Sequence, residues 1–189
     1  ESKVVLQPLR CYTARKFDAA LNAFGSEQTI QADANTFTHA ALAVASRADG
    51  TTVIAWTPQS FSDVWWQLVD VNGAPVGALG SAQIRLSDIV DTIDAVASAS
   101  GFRLVVESTF AYSRGTNGTI VLLDLDPTGA LSGKTELGQR TLWAVSPTTG
   151  ASCGAAPAGV AAAGGADGRY LLAYESCSGQ GAAQLELLA

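Results

Sequence analysis

The sequence predicts an all-β fold assembled from repeated units of four short antiparallel strands. Two observations predict it. Similar phrases recur along the chain, each with a glycine turn leading into an apolar strand. No segment sustains a 3.6-residue apolar period with helix caps. Residues 14–24 come nearest, with Phe17, Leu21 and Phe24 on one face. Their similarity to strand segments later in the chain argues for strand instead.

The phrase ALAVASRADGTTVIAW (41–56) resembles AVASASGFRLVVE (95–107) and GVAAAGGADGRYLLAYE (159–175). Small residues alternate with valine, a turn follows at Gly50, Gly101 or Gly168, and an apolar strand comes next. Alternation before a tight Gly turn is a hairpin signal. In this comparison Glu107 stands where the first phrase has Trp56. A second hairpin follows each of the first two phrases, over 64–88 and 119–139, with an Asp/Asn-Gly turn and a weaker outer strand. The early stretch AFGSEQTIQAD (23–33) aligns with ALGSAQIRLSD (78–88), so the chain opens near the end of a unit. With strands lettered A to D within a unit, residues 1–189 form one domain or part of one. It holds a partial unit at 1–36, complete units at 37–88 and 89–139, and a partial unit at 140–189. Units of this kind read as β-propeller blades.

The phrases DGTTVIAWTP (49–58) and DVWWQLVDVNGAPVG (63–77) carry a resemblance. They are similar to the repeats of bacterial secreted β-propeller proteins. Strand B there reads G-x-x-hydrophobic-x-W, and strand C reads V-W-x-Q-hydrophobic-x-D-x-x-G-x-x-x-G. The resemblance implies an architecture and an exported location, and it transfers no catalytic residue. Propellers usually hold about 4–8 blades. Two complete and two partial units fall short, and an open wedge would leave strand edges exposed. The ring is therefore expected to be completed by a second protein chain or by a homo-oligomer.

Composition sets the outer bounds. The chain has 189 residues, 48% hydrophobic and 15% charged. That is ample for a core and excludes intrinsic disorder. No apolar run reaches the ~18–20 residues of a membrane span. The net charge of −6 gives no basic footprint for nucleic acid. The sequence starts at Glu1 and has no methionine. A processed chain or a fragment is expected, its signal peptide already removed, in a secreted or periplasmic setting. Abundant alanine and few lysines point to a bacterial source, so the Asn117-Gly-Thr119 sequon carries little weight. Of three cysteines, Cys153 and Cys177 bracket one glycine-rich segment and are expected to form a disulfide bond, leaving Cys11 over. Three reduced thiols are the alternative.

Candidate chemistry is sparse. Asp70, Asn72, Asp124 and Asp126 sit in loops that resemble calcium loops, but Asp and Asn in hairpin turns bond their own backbone. His39 is the sole histidine, and no G-x-S-x-G elbow accompanies it. Asp88, Asp91 and Asp94 offer paired carboxylates, the minimum for glycoside hydrolysis, with Asp88 and Asp91 expected on a connecting loop. Trp65 and Trp66 alternate across a strand, so one is core and the other faces elsewhere. In a propeller the B–C loops (58–63, 109–118, 176–181) share a face with the D–A loops. That face gathers Phe61, Phe110, Tyr112 and Arg114 with His39 and Trp143, a binding-surface composition.

The expected function is thus an exported binding or assembly module without catalytic residues, metal or cofactor, meeting a carbohydrate or protein ligand. One alternative is a non-catalytic subunit of a processed extracellular enzyme. Another is an enzyme, glycosidase-like or lyase-like, with its site at the propeller axis.

Overall fold

The computed structural model describes residues 10–17, 20, 23–33, 41–57, 62–85, 88–110, 117–141, 143–145, 152–154, 160–164, 170–177 and 183–188. All strands among them pair antiparallel, and no helix occurs among them. Strands β1 (Arg10–Phe17) and β2 (Ala23–Asp33) form a hairpin. Residues 14–17 and 23–24 of the stretch first weighed as a helix are therefore strand.

Two four-stranded sheets follow in strict chain order. The first holds β3 (Leu42–Ser46), β4 (Thr52–Trp56), β5 (Asp63–Val69) and β6 (Pro75–Gln83). The second holds β7 (Asp88–Ser98), β8 (Gly101–Phe110), β9 (Asn117–Leu125) and β10 (Leu131–Thr141). Next come the short pair β11 (Trp143–Val145) and β12 (Ser152–Gly154), then a sheet of β13 (Val160–Gly164), β14 (Tyr170–Cys177) and β15 (Ala183–Leu188).

The turns explain why these segments fold back. Asp70 Oδ1 accepts the amides of Asn72 and Ala74, both at 2.8 Å. Asp126 Oδ1 accepts the amides of Thr128 and Ala130 and the Thr128 hydroxyl. Gly73 and Gly129 complete the two turns with φ of +86°, a conformation that favours glycine. The same small circuit thus closes both outer hairpins, and these carboxylates serve backbone donors.

Register corrects one sequence alignment. Trp56 pairs with Trp65 in the first sheet, and Val106 pairs with Val121 at the corresponding rung of the second. Glu107 is therefore not the counterpart of Trp56; it matches Thr57. The inner turns differ in length: residues 47–51 separate Ser46 from Thr52, whereas residues 99–100 separate Ser98 from Gly101. Aligning on the glycines slips the strand by one position, which exchanges its two faces.

The core lies between sheets. Val53, Ala55, Val64, Trp66 and Leu68 of the first sheet pack against Phe102, Leu104, Val106, Val121 and Leu123 of the second. The opposite face of the second sheet, with Val105, Ile120 and Leu122, packs on Leu172 of β14. Burying each such side chain is worth about 1.5–3 kcal/mol. Ile54, Trp56 and Val69 form a further cluster on the other face of the first sheet, with Trp65 half-buried beside them. The two tryptophans thus divide between faces, as strand alternation demands.

Polar links fix the sheets against each other. Trp66 Nε1 donates to the Gly129 carbonyl oxygen. Lys134 Nζ donates to the carbonyls of Gln83 and Ile84. Arg85 and Glu136 form an ion pair at 2.6 Å. Among the first strands of the three larger sheets, β7 lies beside both β3 and β13. Asp94 Oδ2 accepts the Ala162 amide at 2.5 Å, and its Oδ1 accepts the Ala95 amide.

Candidate functional site

In a four-stranded meander the first and third turns share one end. Two hollows open at that end among the described residues. The first, of about 340 Å³, lies where β8 and β9 face Tyr170 and Gly164, with Ser98, Ser100 and Ser132 at its rim. The second, of about 530 Å³, adjoins residues 46–49 and shares Ala97, Ser98 and Gly164 with the first. Glycine is required at 164 because a Cβ there would overlap the Val96 side chain.

Arg103 and Asp124 dominate the first hollow. They are direct cross-strand partners, and Arg103 Nε donates to Asp124 Oδ1 at 2.5 Å. The guanidinium carbon lies 4.1 Å from the centroid of the Tyr170 ring, a cation–π contact across two sheets. The hydrogen bond to Asp124 raises the Arg103 pKa further, so its charge is permanent. Both side chains remain about one-third exposed, at 28% and 33%. Only Nε is engaged by an acceptor among the described residues, and the side chain keeps part of its surface exposed.

Near the second hollow, Arg47 reaches Asp49 at 3.1 Å and lies 5.9 Å from the Phe102 centroid. The Thr51 amide holds the Asp49 carboxyl below its usual range, with a smaller contribution from Arg47. Phe102 itself is buried, so it offers no exposed aromatic platform.

The acidic trio resolves differently from its sequence reading. Asp88, Asp91 and Asp94 all lie within β7, not on a loop, because the ladder with β8 extends to the pair Asp88 and Phe110. A register shift between Val90 and Thr92 sets Asp91 at a bulge. Asp94 spends both oxygens on backbone amides. Such a carboxylate positions a strand and is not poised for acid–base work.

Of the six anticipated binding residues, only Phe110 and Trp143 are among the described residues. His39, Phe61, Tyr112 and Arg114 lie outside the described residues. Phe110 closes β8 opposite Asp88, and Trp143 opens β11 opposite Gly154; their backbones are placed and their side chains lie outside the description. The expected B–C loop at 109–118 is shorter, since Thr109 already pairs with Gly118. Cys11 stands opposite Ala32, Cys153 opposite Ala144 and Cys177 opposite Ala183, again as backbone positions. No group of three potential metal-binding side chains occurs among the described residues.

Sequence reading missed Arg103 and Tyr170, and it weighed Asp124 only as part of a calcium-like turn, whereas Asp124 lies within β9 opposite Arg103. The signal was present: at the rung where the first sheet pairs Val53 with Leu68, the second pairs Arg103 with Asp124. The glycine-based alignment hid it by one residue.

The chain matches no protein-family model, no curated protein and no solved structure at a significant level.

Proposed function

We propose that this chain is an exported, non-catalytic binding or assembly module whose sheets are blades of a β-propeller, its ring completed by another chain or a second copy. One observation carries the reading. The same face that joins the first four-stranded sheet to the second joins the second to the sheet of β13 to β15. Val53 and Val64 on one side correspond rung for rung to Arg103 and Ile120 on the other. A face that always meets its successor in the same way is heterologous, and such contacts close rings or extend into filaments. The side-by-side inner strands β3, β7 and β13, rich in alanine, agree with crowding near an axis.

The absence of catalysis is supported by Asp70, Asp94 and Asp126, whose carboxylates accept backbone amides. The test is the native mass of the particle by light scattering, joined to its subunit composition. A particle larger than one chain is expected. A stable, monodisperse monomer of 19.4 kDa would overturn the proposal.

A further inference from the structure

We propose that the cleft beside Arg103 binds a neutral saccharide, with the Arg103 guanidinium and the Asp124 carboxylate engaging adjacent hydroxyls. The inference rests on the reading of the chain as a binding module and names the ligand class of that module.

Comparison of the two complete sheets singles the place out. Their scaffolds share the Asp-Gly turn and the register of the two central strands, yet at one rung the first sheet has Val53 and Leu68, buried to 0% and 2% exposure. The second sheet has Arg103 and Asp124 there. Structure alone is served by the apolar pair, because a partly desolvated ion pair contributes little net stability. An ionic rung at the mouth of a cleft is a departure that recognition explains.

The pair is also arranged for recognition. Asp124 holds Nε and Tyr170 covers one guanidinium face, so the fork is fixed before any ligand arrives. Such preorganisation lowers the ordering penalty on binding. The Nη donors have no acceptor, and Asp124 Oδ2 has no donor, among the described residues. A donor beside an acceptor matches two neighbouring hydroxyls, one accepting from Nη and the other donating to Oδ2. Ser98, Ser100 and Ser132 add hydroxyls at the rim.

Charge selects among polar ligands. Arg103 is balanced by Asp124, and Asp126 also lines the cleft, in a chain of net charge −6. Phosphates and other anions are therefore disfavoured. Size agrees: 340 Å³ lies within the ~300–1,000 Å³ of small-molecule sites. The adjoining hollow gives a glycan room to continue.

The experiment is saturation-transfer NMR on the full chain in its native particle. The probes are the methyl glycosides of glucose, galactose and mannose, at concentrations on the order of 10 mM, suited to weak binding. Inorganic phosphate is the anionic probe. Arg103→Lys keeps the charge but removes the planar fork. Ser98→Trp obstructs the cleft without touching the ion pair. Asp124→Asn preserves shape and serves if either of these fails to show a cooperative thermal transition. Saturation transfer to at least one glycoside is expected, with affinity lower by about tenfold or more in each folded variant. The proposal is overturned if no glycoside receives saturation. It is equally overturned if Arg103→Lys binds as the wild type does, or if phosphate displaces the glycoside. Failure here with a multi-chain native particle removes the ligand class and leaves the module reading intact. Glycoside binding by a lone monomer retains the site and removes the assembly.

Discussion

The indole Nε1 of Trp66 donates to the carbonyl oxygen of Gly129 at 2.9 Å, across an interface and 63 positions along the chain. One sheet's strand is thereby tied to the turn of the next. Gly80 lies across the strand from Trp66, and a Cβ at that position would overlap the indole ring. Trp66→Phe removes the donor and is expected to cost about 1–3 kcal/mol. Gly80→Ala displaces the ring and is expected to cost a similar ~1–3 kcal/mol. Denaturant titration of each single variant and of the double variant checks both values, and the double should fall short of the sum.

Two glycines with positive φ should respond differently to alanine. Gly101 has φ of +139°, and a Cβ there would overlap the Leu125 carbonyl, which is backbone and cannot swing aside. Gly101→Ala is expected to cost about 3 kcal/mol or more. Gly77 has φ of +71° and an ordinary 3.4 Å approach to Thr128 O. Gly77→Ala is expected to cost only about 1 kcal/mol. Thermal melts of the two variants rank them.

Acid should loosen the hairpin of β9 and β10. The Thr128 hydroxyl, helped by the turn amides, holds the Asp126 carboxyl below the usual 3.8. A depressed folded-state value means that the stabilisation is complete above the unfolded value and is lost as pH falls through the folded one. Asp126→Ala should therefore lower the thermal midpoint at neutral pH and flatten its decline below about pH 4. A wild-type slope retained in Asp126→Ala would assign that decline to other carboxylates.

Arg85 and Glu136 are each 37% exposed. Their hydrogen bond keeps Glu136 below its usual range, yet solvent screens the pair. A double-mutant cycle is expected to give about 0.2–1 kcal/mol, shrinking toward zero in ~1 M salt.

The cysteines give a covalent test. A non-reducing peptide map is expected to link Cys153 to Cys177 and leave Cys11 unlinked to either. Closing a loop with 23 residues between the cysteines would contribute about 3 kcal/mol. A bond from Cys11 to either partner would refute the pairing.

The fold class was legible because its signals are local. Asp70 with Gly73 and Asp126 with Gly129 announce turns wherever they occur, and strand alternation correctly divided Trp65 from Trp66. Register was less legible, because it depends on turn length, and the glycines at 50 and 101 occupy different positions in turns of different length. That single slip concealed the ionic rung of Arg103 and Asp124. Tyr170 was beyond reach for another reason: its contact with Arg103 spans two sheets and leaves no trace in local pattern. Phe61, Tyr112 and Arg114 lie outside the described residues.

Strands β8 and β9 have neighbours on both faces: Leu104, Val105 and Val106 are all fully buried, yet they point in alternating directions. The second sheet is therefore the keystone of the described structure, since freeing it strips cover from the sheets on either side. Its central amides should exchange with deuterium only when the whole assembly opens, whereas those of the exposed outer strand β6 exchange through local fraying. A proteolytic nick would then be tolerated at the periphery and would be fatal within β8 or β9.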